Sequence, residues 1–161
     1  MKRVNLHQTE FLDAPDQDGF RARRARLGWQ LSTERLGISL WEIPPAEAAY
    51  PYHFHFAEEE VLVVVDGAPS LRAPDGWHQL ASGDVVALPR GERGAHQLAN
   101  RDSTTTLVIS ISTNDAPEVV VFPDSGKIAA DERRPDGQGF RAILRLSDQL
   151  DLFEDEHPPS A

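Results

Sequence analysis

"PYHFHFAEEEVLVVVDG", residues 51–67, sets two histidines one residue apart, follows them with three glutamates, and ends in an aliphatic run closed by Asp66-Gly67. In a strand, residues i and i+2 share a face. His53 and His55 therefore aim together and Phe54 aims opposite. A lone histidine at an alternating position is more often a hydrogen-bonded core residue than a ligand. Two on one face, close enough to share an ion, reverse that expectation. Glu60 comes five residues after His55, which is out of phase with one flat strand. If "FAEE" forms a turn, Glu60 opens the next strand beside the histidines, with Leu62 and Val64 on its inner face. Glu58 and Glu59 then point elsewhere, and Glu59 remains a candidate ligand if the turn ends one residue earlier.

A second segment supplies a partner. "GDVVALPRGERGAHQLAN", residues 83–100, holds a strand, a Pro/Gly loop, and then His96 at the start of a short return strand. His96, Leu98 and Asn100 share a face there. Three imidazoles and one carboxylate make a nest that a divalent cation would hold together.

Outward from these segments the chain alternates short β-branched runs with turn residues. "LGISLWEI", "EVLVVVD" (60–66), "SLRA" (70–73), "WHQL" (77–80), "DVVALP" (84–89), "HQLA" (96–99), "TTLVISIS" (105–112) and "EVVVF" (118–122) read as strands. "APDG", "ASGD", "PRGERG", "NRDS" and "TNDAP" supply the joints. "LRAPDGWHQL" is a hairpin with Pro74-Asp75-Gly76 at its tip. Many short strands at this spacing predict an all-β, antiparallel sandwich or jelly-roll barrel with short helical pieces at most. One such piece is expected in "LRLSDQL", with Ser147 as its N-cap, ahead of an acidic, proline-containing tail. "ADERRPDGQG", residues 130–139, reads as a solvated loop.

Taken together, His53-x-His55-x4-Glu60-x6-Gly67, Gly83-x5-Pro89-x-Gly91 and His96-x3-Asn100 resemble the paired motifs of the cupin superfamily. The likeness extends over about residues 35–115 and is nearest to small single-domain bacterial cupins with a "PDSGK" segment, here residues 123–127. It implies a β-jelly roll with one divalent transition metal ion (Mn, Fe, Ni, Co, Cu or Zn) held by His53, His55, Glu60 and His96. Two features depart from the family pattern. The glycine usual before the first histidine is replaced around Ala46-Glu47, and the loop between Gly91 and His96 is two residues longer than common. The implied division is an N-terminal arm at 1–34, packed or exchanged at a dimer interface, a jelly-roll core at 35–129, and a C-terminal loop, short helix and acidic tail at 130–161.

The totals narrow the partners. Sixteen basic against 26 acidic residues leave a net charge of -10, a field that repels phosphate backbones and anionic lipid. No nucleic acid or membrane partner is expected. The chain has no cysteine, which excludes disulfides, thiolate metal sites and cysteine nucleophiles. The opening "MKRVNLHQTEFLDAPDQ" lacks the apolar core of a signal peptide, so a soluble, cytoplasmic protein is expected.

No Ser-His-Asp arrangement or glycine-rich phosphate loop is present. Tyr50, Tyr52 and Lys127 are candidates for a pocket rim, with Lys127 placed to reach a substrate carboxylate or phosphate. Apart from Glu60, no further carboxylate falls at an obviously inward position near the motifs. Two functions follow. One is a metal-dependent enzyme, of dioxygenase or isomerase type, acting on a small oxygen-bearing molecule. The other is a non-catalytic binding or sensing protein that uses the same metal to hold its ligand. The arm through "FRARRARLGWQL" could lend a strand to a neighbour, so a homodimer is expected.

Overall fold

A computed structural model describes residues 1–132 and 139–157. Its strands are β1 (Arg23–Arg26), β2 (Leu36–Ile43), β3 (Phe54–His55), β4 (Glu60–Asp66), β5 (Ser70–Ala73), β6 (Gly76–Gln79), β7 (Val85–Leu88), β8 (Gln97–Ala99), β9 (Thr106–Thr113), β10 (Glu118–Phe122), β11 (Lys127–Asp131) and β12 (Arg141–Arg145). They form sheets ordered β1-β2-β9-β4-β7, β12-β11-β10-β3 and β6-β5-β8. Every pairing within them is antiparallel. This is the expected β-sandwich of jelly-roll type. The hairpin at Pro74-Asp75 closes with Ala73 opposite Gly76, where φ of +126° suits a residue without Cβ.

Period-2 alternation gives the five-stranded sheet two different faces. On the inner face Leu62, Val64 and Val108 join Ile43, Leu71, Leu80, Leu88 and Leu98 in one buried aliphatic cluster. On the outer face Leu40, Ala25 and Leu27 form a second cluster, covered by Val4, Leu6 and Phe11 of the N-terminal arm. Removing both clusters from water drives the sandwich together. Glu60, at the start of β4, stands on the inner face at the end of the aliphatic run, where the barrel interior turns polar.

Several segments differ from what the local sequence suggests. The arm's strand β1 pairs with β2 of its own chain, Arg24 opposite Trp41. A five-residue helix, α1 (Leu27–Leu31), follows it. Gly28 is buried there, and a Cβ on it would press on Thr33 and on the backbone of β2. Toward the C-terminus, Arg141–Arg145 are a strand rather than the approach to a helix, because β11 offers a free edge with which they pair. Leu146–Asp148 form only a 3-10 turn, with Arg145 at its N-cap and Ser147 inside it. Most of the loop expected at 130–139 lies outside the described residues, and its first two residues complete β11. Among the described residues no helix is long and apolar enough to cross a membrane.

Leu40 is fully buried between the sheet and the arm. Leu40→Ala is expected to lower unfolding free energy by about 2–5 kcal/mol, read from urea denaturation. A loss under 1 kcal/mol would mean that the arm does not seal this face.

Candidate metal centre

The site begins with the backbone. His53 N–H donates to the His96 carbonyl at 3.0 Å, and His96 N–H donates back to the His53 carbonyl at 2.8 Å. This isolated antiparallel bridge brings the two histidine segments side by side and leaves the ring centroids of His53 and His96 4.4 Å apart. His55 follows on β3, with its ring centroid 4.9 Å from that of His53. Gly91 N–H donates to the His55 carbonyl at 2.7 Å, which ties the Pro/Gly loop to β3.

Each ring is oriented by its second nitrogen. His53 Nδ1 lies 2.8 Å from the Pro51 carbonyl and His96 Nδ1 lies 2.9 Å from the Gly94 carbonyl. A carbonyl only accepts, so each Nδ1 carries a proton and each ring turns its Nε2 inward. His96 Nε2 is 3.2 Å from Glu60 Oε2, and His55 Nε2 is 3.5 Å from the same oxygen. A lone pair facing a carboxylate oxygen at that distance needs a proton or a cation between them. Ligand atoms of His53, Glu60 and His96 all lie within 4.8 Å of one another. The donor set therefore fits a metal ion, and the Nδ1 contacts are those by which metal-binding histidines are usually held.

His55 has a different back. Its Nδ1 faces Glu118 Oε1 at 3.8 Å and Glu58 Oε2 at 3.9 Å. Glu58 and Glu118 are buried, and with His55 they form a second close-set group. Glu118 Oε1 also accepts the Phe56 N–H at 3.1 Å and the Ala57 N–H at 3.4 Å, which fixes the turn between β3 and β4. Sequence reasoning expects Glu58 to point away and no inward carboxylate besides Glu60; the structure corrects both points. The turn curls Glu58 under His55, and β10 pairs with β3 so that Glu118 shares the His55 face through Val120, the residue opposite His55. The alternation of "EVVVF" carries that signal, but only once its partner strand is known.

The other expected residues divide. Glu60 faces the imidazoles, whereas Glu59 is exposed and its N–H donates to Thr113 Oγ1. Tyr50 joins the cluster, edge-on to His53 at 5.1 Å. Lys127 Nζ sits 5.6 Å from the Phe122 ring, which in turn stacks 6.1 Å from His53, so Lys127 stands one residue back from the site. Tyr52 lies 4.0 Å beneath the Arg72 guanidinium, which pairs with Asp124. No contact brings Tyr52 to the imidazoles among the described residues.

Electrostatics follow from this crowding. Burial, then the neighbouring His96 and His55, push His53 down to about 3, so its ring is neutral at any ordinary pH. Burial alone would raise the Glu60 carboxyl, but the His96 contact and the three nearby imidazoles hold it at about 2. Burial opposes protonation of His55, yet the facing carboxylates of Glu118, Glu60 and Glu58 prevail and raise it.

Residues 39–112 match the family model for a cupin domain. The crystal structure of a cupin-superfamily sugar phosphate isomerase from Silicibacter pomeroyi superposes with a TM-score of 0.78 at 22% identity, over 91% of this chain and 94% of that one. A candidate sugar phosphate isomerase from Acidithiobacillus ferrooxidans gives 0.77 at 23% identity, over 93% and 96%. The polyketide cyclase RemF from Streptomyces resistomycificus gives 0.59 at 22%, over 73% and 83%. At these identities the likeness is one of fold. No curated protein sequence matches the chain.

Two outcomes are expected. A Cβ at Gly94 would stand 1.7 Å from the Pro89 carbonyl oxygen, so Gly94→Ala must open the turn whose carbonyl orients His96. Its cost should be at least about 1–3 kcal/mol, with weaker metal uptake; a thermal melt and uptake equal to wild type would sink this account of the turn. The second concerns acid. In metal-free protein the unfolded His53 takes up a proton near 6.5 that the folded one refuses until about 3, so stability falls as pH drops through that window. Glu60 adds in the same direction between 4.5 and about 2. His55, being raised, opposes them: its contribution is present below its ordinary value and fades as pH rises through its folded value. The melting temperature should fall from pH 7 to pH 4, and less so in His53→Asn; equal slopes in the two proteins would refute the role given to His53.

Proposed function

We propose that this chain, whose residues 39–112 match the family model for a cupin domain, is a metal-dependent enzyme acting on a small oxygen-bearing molecule. The observation that carries it is the convergence of the His96 and His55 Nε2 atoms on one carboxylate oxygen of Glu60, with His53 alongside. His53, His55, His96 and Glu60 would hold one divalent transition metal ion, a nitrogen-rich set suited to Mn, Fe, Ni, Co, Cu or Zn. Such an ion supplies either Lewis-acid polarisation of a carbonyl or a platform for oxygen chemistry.

The chain's own residues do the rest. Pro51 and Gly94 carbonyls keep Nδ1–H of His53 and His96 turned away, so that Nε2 stays available. Glu118 and Glu58 give His55 Nδ1 a carboxylate to face, which raises the basicity of the ring. Tyr50 and Phe122 wall the His53 side, and Tyr50 is 40% exposed, a position from which it can meet a ligand at the rim. The acidic surface, with net charge -10, directs the site toward small molecules rather than nucleic acid or anionic membranes.

Isomerase-type chemistry is the description carried by the Silicibacter structure, and it needs only polarisation and proton movement. It is the first activity to assay, with oxygen uptake as the second.

Elemental analysis of the protein purified without chelator is expected to show about one transition metal per chain. His53→Ala, His55→Ala and His96→Ala should each cut retention at least tenfold, Glu60→Gln should weaken it, and Glu59→Gln should leave it unchanged. Absence of stoichiometric metal, both as purified and after reconstitution, would overturn the proposal.

A further inference from the structure

The arm contributes to the inner face of the five-stranded sheet a charged group that the histidine–glutamate cluster does not explain. Strand register places Arg24 opposite Trp41, Trp41 opposite Val108, and Val108 opposite Val64. Directly paired residues share a face, so Arg24 projects onto the inner face that also carries Glu60. Its Nε donates to Ser39 Oγ at 2.8 Å, and Trp41 Nε1 donates to Ser110 Oγ at 3.2 Å. Ser39 and Ser110 are themselves paired, and Ser110 pairs with Leu62, the inner position next to Glu60. Both long side chains are thus drawn along the sheet toward the metal cluster, with the guanidinium carbon 5.1 Å from the Trp41 ring.

Neighbouring arginines of the arm have their counter-charges. Arg21 meets Asp16, Asp18 and Glu47, Arg23 meets Glu42, and Arg26 meets Asp13. Arg24 has no carboxylate within 4.0 Å among the described residues, and neither of its Nη groups donates a hydrogen bond among them. Burial, then repulsion from Arg26, lower it to about 10, with Asp13, Glu60 and Tyr50 pulling the other way. It therefore keeps its charge at neutral pH. A largely buried cation with no close counter-ion is costly. Its unused pair of Nη groups has the fork geometry that matches a carboxylate or phosphate.

We propose that Arg24 is the anion-binding residue of this inner-face site, receiving the carboxylate or phosphate group of the small molecule whose other oxygens lie toward His53, His96 and Glu60. The inference rests on the reading of that cluster as the site of action, and it narrows the substrate class to small organic anions. It also assigns the N-terminal arm a place in recognition, since β1 delivers the residue.

Inorganic phosphate and acetate, titrated separately into metal-free protein, serve as probes, followed through the indole N–H signals in proton–nitrogen NMR. Trp41 is identified with Trp41→Phe. At least one anion should shift the Trp41 signal saturably. Arg24→Gln should weaken that binding at least tenfold, while zinc uptake stays within twofold of wild type. Arg24→Lys, which keeps the charge and loses the fork, should fall between. A response to phosphate alone assigns a phosphate group, and a response to acetate alone assigns a carboxylate. Binding that Arg24→Gln leaves unchanged, or no saturable binding in the wild type, would overturn the proposal. Were Arg24→Gln not to fold, the wild-type titration still decides, because saturation without movement of the Trp41 signal would place the anion elsewhere. Anion binding that depends on Arg24 in a protein that takes up no zinc would refute the metal reading and leave this one standing.

Discussion

Two reciprocal backbone hydrogen bonds between His53 and His96 are the constraint on which the rest of the site depends. Neither histidine belongs to a long strand: one stands just before the two-residue β3 and the other just before the three-residue β8. Short segments of this kind have little pairing energy of their own, so their position is set by what surrounds them. The aliphatic cluster beneath holds β4 and β8 in place, the Pro/Gly loop is tied to the His55 carbonyl, and Glu118 pins the turn that follows. With the bridge made, three imidazoles are crowded around one carboxylate and the electrostatics follow. Burial and mutual repulsion keep His53 neutral, while the imidazoles keep Glu60 ionised.

His55 differs from its two companions in what stands behind it. Carbonyl oxygens behind His53 and His96 fix a tautomer without adding net charge. Carboxylates behind His55 fix an orientation and add negative charge as well, which is why its protonation is favoured where that of His53 is opposed. Three rings that look alike in the sequence are therefore not interchangeable in the folded protein. The asymmetry comes from β10, the neighbour of β3 in the four-stranded sheet, which sets Glu118 beside His55.

The five-stranded sheet also divides labour between its faces. Leu40, Ala25 and Leu27 make its outer face a seat for the N-terminal arm, and Leu62, Val64 and Val108 make its inner face the barrel core. Further along that inner face the residues become serine, tryptophan, arginine and glutamate. Hydrophobic burial at one end thus stabilises the framework in which polar groups at the other end are held apart from bulk water, where electrostatic interactions are stronger. Because β1 pairs within the same sheet, the arm both seals the outside and furnishes a charged residue to the inside.

Strand periodicity and turn chemistry by themselves determined the all-β architecture, the hairpin at Pro74-Asp75 and the shared face of His53 and His55, since alternation and spacing are local properties written in consecutive residues, while the set of four candidate ligands came with the resemblance to cupin motifs. The choice between Glu60 and Glu59 stayed open at that level, because strand phase depends on where the preceding turn ends. Glu118 and Arg24 were not legible in the same way. Each sits in an ordinary-looking stretch, "EVVVF" or "RARRAR", and gains meaning only from the strand paired beside it. Tyr52 shows the converse: its neighbour Tyr50 contacts His53, while Tyr52 itself is drawn beneath the distant Arg72. Tertiary structure alone decided these three, because pairing register brings together residues far apart in the chain, and a side chain's electrostatic environment is set by those neighbours rather than by its own segment.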